Sequence, residues 1–109
     1  MATAYKVLGQ VAPAATTATA VYTVPSATEA VVSSVTVCNR AGTAGTFRLA
    51  VRPDGAALAN QHYVVYDTSI SANDTVILTI GLTLDAADVL EVYASSADMT
   101  FNAYGSEIS

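Results

Sequence analysis

Apolar and polar side chains alternate with a period of two along several stretches of this chain. That period belongs to half-buried β-strands, whose side chains point to opposite faces in turn. In residues 46–52 the odd positions Phe47, Leu49 and Val51 are apolar, with Thr46, Arg48, Ala50 and Arg52 between them. In residues 75–84 Val76, Leu78, Ile80, Leu82 and Leu84 alternate with Thr75, Thr79, Gly81 and Thr83. Met99, Phe101 and Ala103 alternate with Thr100, Asn102 and Tyr104. Helical stripes with caps at both ends are missing, and the Ala-rich pieces are broken by Thr or by Pro13.

Gly, Pro, Asn, Asp and Ser cluster at short intervals, at residues 25–26, 39–45, 53–55, 71–74, 85–88 and 95–98. The pattern predicts eight strands, over 4–11, 19–24, 30–39, 46–52, 61–68, 74–83, 88–95 and 99–105. Many short strands with regular turns and no covering helix imply two sheets that cover each other. The expected fold is an all-β, single-domain antiparallel sandwich over residues 1–109, either a jelly roll or Ig-like, since alternation does not encode strand order. Residues 30–39, nearly all Val, Ser, Thr and Cys, read as a central strand. Residues 10–19 read as a crossing between sheets or a surface segment. Residues 53–61 read as a turn followed by one helical turn or an excursion loop.

Composition sharpens this picture. The chain has 109 residues, 52% hydrophobic, only 12% charged, with 9 Asp+Glu against 4 Lys+Arg and a formal charge of −5. Disorder needs low hydrophobicity and high charge, and this chain has the reverse. A domain of 11.1 kDa exposes about 5,700 Å², which thirteen charges cannot dominate. A skin of Thr, Ser, Ala and Asn is sticky in isolation, so part of it is expected to pack against other subunits. Four scattered cations make a poor phosphate-binding patch, so no nucleic-acid partner is expected. The apolar runs are too short for a membrane span, and the N-terminus lacks the pattern of a cleaved signal peptide.

Candidate chemistry is sparse. The acids Glu29, Asp54, Asp67, Asp74, Asp85, Asp88, Glu91, Asp98 and Glu107 mostly fall in predicted turns. His62, the one histidine, reads as an exposed or edge residue; it cannot alone build a metal site, and no nucleophile elbow is present. Cys38, the one cysteine, excludes an internal disulfide and reads as a small buried hydrophobe. Gly42 and Gly45 read as a hairpin turn. No enzyme activity, metal or cofactor is expected. What remains is contact chemistry. Arg48 and Arg52 share the outward face of one strand, and Arg40 is expected beside them on a paired strand across the 41–45 turn. Arginine makes bidentate bonds to carboxylates and tolerates interface burial. Tyr63, Tyr66, Tyr93 and Tyr104 form a second set, since tyrosine is favoured at interfaces and stacks on sugars. These seven residues are the candidate interface.

The strings Tyr5-Lys6-Val7-Leu8-Gly9-Gln10, Tyr22-Thr23-Val24-Pro25, the run from Ala30 to Arg40, Thr46-Phe47-Arg48-Leu49-Ala50-Val51, Val92-Tyr93-Ala94-Ser95 and Phe101-Asn102-Ala103-Tyr104-Gly105 resemble small β-sandwich structural proteins of tailed bacteriophages. The resemblance covers almost the whole chain and marks the sandwich, not a site. It implies a virion protein assembled in the host cytoplasm. The expected role is capsid decoration (cement), with the major capsid protein and copies of itself as partners, as a trimer. The alternative is a tail, baseplate or fibre module that stacks tyrosines on host glycans.

Overall fold

In a computed structural model that describes residues 2–109, the alternating segments are all strands. They are β1 (Thr3–Val11), β2 (Thr19–Thr23), β3 (Glu29–Asn39), β4 (Gly45–Arg52), β5 (Tyr63–Ile70), β6 (Thr75–Leu84), β7 (Val89–Ala94) and β8 (Met99–Ile108). One sheet has the order β1-β8-β3-β6 and the other β2-β7-β4-β5, and every pairing is antiparallel. The innermost pair is β4–β5, around it lie β3–β6 and β2–β7, and β1–β8 is outermost. The chain is thus one long hairpin rolled over itself into two sheets, which is the jelly roll. Its accessible surface, 5422 Å², is close to that expected of a lone folded chain of its mass.

The inward rows supply the core. Val32, Val35 and Val37 from β3 and Met99, Phe101 and Ala103 from β8 meet Phe47, Leu49, Leu90 and Val92 from the facing sheet, all essentially without exposure. Phe47 and Phe101 pack edge to face across the two sheets, ring centroids 6.2 Å apart. Such aromatic pairs add directionality to plain burial. At Gly9 the sheets approach so closely that a Cβ would collide with the Val21 carbonyl oxygen. The segment 12–18 carries the chain from one sheet to the other, as expected.

Two expectations are corrected, and one open alternative is decided. Residues 40–44 are not a hairpin turn: they cross between sheets, so β4 has β5 and β7 as neighbours and not β3. Cys38 is not in the core. The ladder slips at Ser33 against both neighbours of β3, which turns Val35 and Val37 inward and leaves Cys38 half-exposed on the outer face. Of the two readings of residues 56–59, the excursion loop holds and not the helical turn. The 3₁₀ turns flank them, at Pro53–Gly55 and Asn60–His62.

Candidate interaction surfaces

The outer face of the β2-β7-β4-β5 sheet is built around Arg48. Arg48 on β4 stands directly opposite Tyr93 on β7. On its other side β5 slips in register, between the pairs Phe47–Thr68 and Leu49–Val65, so that Tyr66 and Asp67 both oppose the single Arg48. Asp67 adopts φ 49° to make this bulge, a conformation Asp tolerates better than most residues. The guanidinium carbon then lies 4.2 Å from the Tyr66 ring centroid and 4.3 Å from that of Tyr93. Arg48 Nε and Nη2 donate to Asp67 Oδ1 and Oδ2 at 2.7 and 3.2 Å. That fork holds the Asp67 carboxyl below the usual carboxylate range and raises the guanidinium further still. A second slip at Val64 brings Tyr63 to the same face, edge-on to Tyr66 at 4.8 Å. In a regular strand residues three apart would face opposite ways.

Arg52 follows on the same strand, as the alternation predicts, but it is occupied within the chain. Its Nη1 donates to the Gly55 and Ala56 carbonyls at 3.0 and 2.8 Å. Its Nε lies 3.1 Å from Glu91 Oε2, yet is not directed into a hydrogen bond, so the contact is Coulombic alone. Arg40 does not join them. It sits at one end of the sandwich, donating its backbone N–H to Asp98 O and Nη2 to Ala97 O. Tyr104 lies on the outer face of the opposite sheet, across from Val7. Of the seven candidate residues, four therefore converge (Arg48, Tyr63, Tyr66 and Tyr93), Arg52 borders them, and Arg40 and Tyr104 lie elsewhere. Arg48 and Arg52 are also not free anchors for a partner's carboxylates, because Asp67 and Glu91 already face them.

The other outer face, of β1-β8-β3-β6, has a different chemistry. Its register sets side chains in rows across the strands: Thr75, Cys38 and Thr100; Ile77, Thr36, Asn102 and Gln10; Thr79, Ser34, Tyr104 and Val7; Thr83, Val31, Ser106 and Tyr5. None of these carries a charge; among the described residues Glu29, in the terminal row with Ile108 and Thr3, is the one Asp, Glu, Lys, Arg or His on this face. Tyr5 is 85% and Ile77 66% exposed. Lys6 and Glu107 belong to the inner side of the same strands. Glu107 accepts from Tyr22 Oη of the facing sheet and pairs with Lys6 Nζ at 2.8 Å. These two donors, Lys6 first, lower the Glu107 carboxyl, while burial and that carboxylate push the Tyr22 phenol up.

Sequence reasoning missed this triad and also Asn39, which is 1% exposed. Asn39 Nδ2 donates to Thr43 O at 2.9 Å and Ser71 O at 3.2 Å, and Oδ1 accepts from Ala41 N–H at 3.0 Å. The side chain locks the β3–β4 crossing to the β5–β6 turn. Its place at the start of a turn was the only signal.

Several further polar groups serve loops. His62 Nδ1 accepts from the Ala59 N–H, and Asp88 accepts from the N–H groups of Asp54 and Asp85. No group of three His, Cys, Asp or Glu among the described residues could hold a metal ion. The hollow beside Arg48, under Leu58 and Tyr63, measures about 10 Å³, room for about one water molecule. A small-molecule site spans some hundreds of Å³. The hollow beside Arg48 is far smaller than that. Comparison of the chain with protein families and with curated proteins finds no match.

Proposed function

We propose that this protein is a virion structural protein, a capsid decoration or cement module that works by covering and being covered. The observation that carries the reading is the outer face of β1-β8-β3-β6, four strands wide, whose one charged side chain among the described residues lies in its end row. Such a face has little electrostatic reason to stay in water and no chemistry to perform there. Packed against a shell, it gains from burial and meets no charge to desolvate. Tyr104, with Tyr5 and Val7 beside it, supplies the amphipathic contacts that interfaces favour. Repetition over a symmetric shell multiplies modest contacts into firm attachment. The resemblance of the sequence to small phage sandwich proteins, which serve on capsids or on tails and fibres, supports a virion role, and the proposed partner is the major capsid protein.

The test is stoichiometry. Purified particles should carry the chain at a fixed, high ratio to the shell protein, and particles lacking it should burst at lower temperature. A few copies per particle would sink the reading. The tail or fibre alternative draws on the tyrosines of the Arg48 face. Its geometry is less favourable, because Arg48 already covers one face of both Tyr66 and Tyr93. Glycan-array binding abolished by Tyr66→Ala would favour it.

A further inference from the structure

β1 is the least anchored strand of the sandwich. Every residue from Thr3 to Val7 is exposed. Successive side chains of a strand point to opposite faces, so neither face is covered there. No residue of β1 belongs to the buried core; Leu8 and Val11 only rest against it, half-buried. What holds the strand is its ladder with β8, together with the Lys6–Glu107 pair and a hydrogen bond of 2.7 Å from Gln10 Nε2 to Asn102 Oδ1. Lifting β1 off would expose little of the core and leave the other seven strands paired as they are.

The connection from β1 to β2, residues 12–18, is loosely tied and strained. All of it but Pro13 is exposed. Its backbone is tied to the body by the bond from Thr16 N–H to Ala94 O, at 2.8 Å. The hydroxyls of Thr16 and Thr17 both turn back to the Ala15 carbonyl inside the segment. Thr16 has φ 53°, and it is the one β-branched side chain among the described residues in the left-handed region. A branched Cβ is least at ease in that conformation. Residues 15 and 16 form the turn. Straightening it takes Thr16 out of the strained region and carries β1 away from its own β8.

We propose that β1 is an exchangeable arm: when the chain associates, β1 is seated on β8 of a second copy, while its own β8 takes the β1 of another copy. The exchange restores every contact that β1 makes within the single chain, so its net cost is small, and relief of a strained connection favours it. A second copy is the occupant because the seat is already fitted to this sequence. A Cβ at Gly9 would collide with the Val21 carbonyl oxygen, so a strand lying here needs glycine at that point. It also needs a cation three residues earlier for Glu107, and one residue later a side chain that donates to Asn102. β1 of another copy meets all three demands at once. A strand of a shell protein would have to match them with a different sequence. The inference concerns the chain by itself and does not rest on the virion reading.

The experiment uses two variants of the full chain, Gln10→Cys and Asn102→Cys, each also carrying Cys38→Ser to remove the one native cysteine. Positions 10 and 102 stand directly opposite on β1 and β8, which suits a cross-strand disulfide. Each chain then has one thiol, so a bond between positions 10 and 102 joins two chains. The reduced variants are mixed one to one at low micromolar and at several hundred micromolar, held until their size-exclusion profiles stop changing, and oxidised. The expected product has twice the 11.1 kDa chain mass on denaturing gels, is joined 10 to 102 by peptide mass spectrometry, and is several-fold more abundant at the higher concentration. Glycine adopts positive φ without strain, so Thr16→Gly in both chains should lower the joined fraction at least tenfold, with unchanged circular dichroism. Single chains alone, chains joined only 10 to 10 or 102 to 102, or a joined fraction that Thr16→Gly leaves unchanged would each overturn the proposal, leaving the seat to the chain's own β1 or to a foreign strand.

Discussion

Glu107 is mostly enclosed, with 14% side-chain exposure, and its two donors are Lys6 and Tyr22. Both contacts favour the ionised form, so its carboxyl titrates below its ordinary 4.5 in the folded chain, as Asp67 does below 3.8 under Arg48. As pH falls through those ordinary values, the unfolded chain takes up protons that the folded chain refuses. Stability from these groups is complete above them and is lost as pH falls through the folded values. Urea unfolding across pH should therefore show a plateau above about pH 5 and a decline below about pH 4. Glu107→Gln should flatten that decline, and an acid limb of unchanged slope would contradict the assignment. Tyr22→Phe removes the phenol donor and should lower stability by about 1–2 kcal/mol at neutral pH, measured by the same unfolding curves.

At the scale of elements, β-bulges decide which side chains meet. Period-two alternation together with the turn-forming clusters placed all eight strands, with ends displaced by up to three residues. It failed wherever a strand slips. Ser33 reverses the parity of β3 and moves Cys38 from core to surface, while Val64 brings Tyr63 and Tyr66 onto one face. No residue type at these positions announces a bulge, since Ser, Val, Tyr and Asp all occur in regular strands. Arg48 and Tyr93 could be placed on outward faces from their own strands, but not beside each other, because β4–β7 pairing is set by the whole topology. Arg40 was misplaced for the same reason: a Gly-containing connection looks alike whether it turns a hairpin or crosses between sheets. Asn39 is what makes the crossing hold. Asn39→Ala would leave the Thr43 and Ser71 carbonyls and the Ala41 N–H without their partner, and should cost about 3 kcal/mol. Thermal or urea unfolding measures it, and a loss under about 1 kcal/mol would show that water replaces the side chain at little cost.

For the whole molecule, the charges are sorted by surface. Arg48, Asp67, Arg52 and Glu91 pair with each other on one outer face, several Asp residues hold turns, and the other outer face has one acid in its end row. The sandwich buries one core within the single chain, and the proposed partners would cover the wide face that avoids charge. The composition already showed the scarcity of charge, but only the strand order shows where the charge is missing. The central claim is that this face is covered when the protein is at work. Hydroxyl-radical footprinting tests it most directly, comparing the chain on purified particles with the chain released from them. Tyr5, Tyr104 and Ile77 should be oxidised several-fold more slowly on the particle. Equal rates at all three residues in the two states would contradict the account.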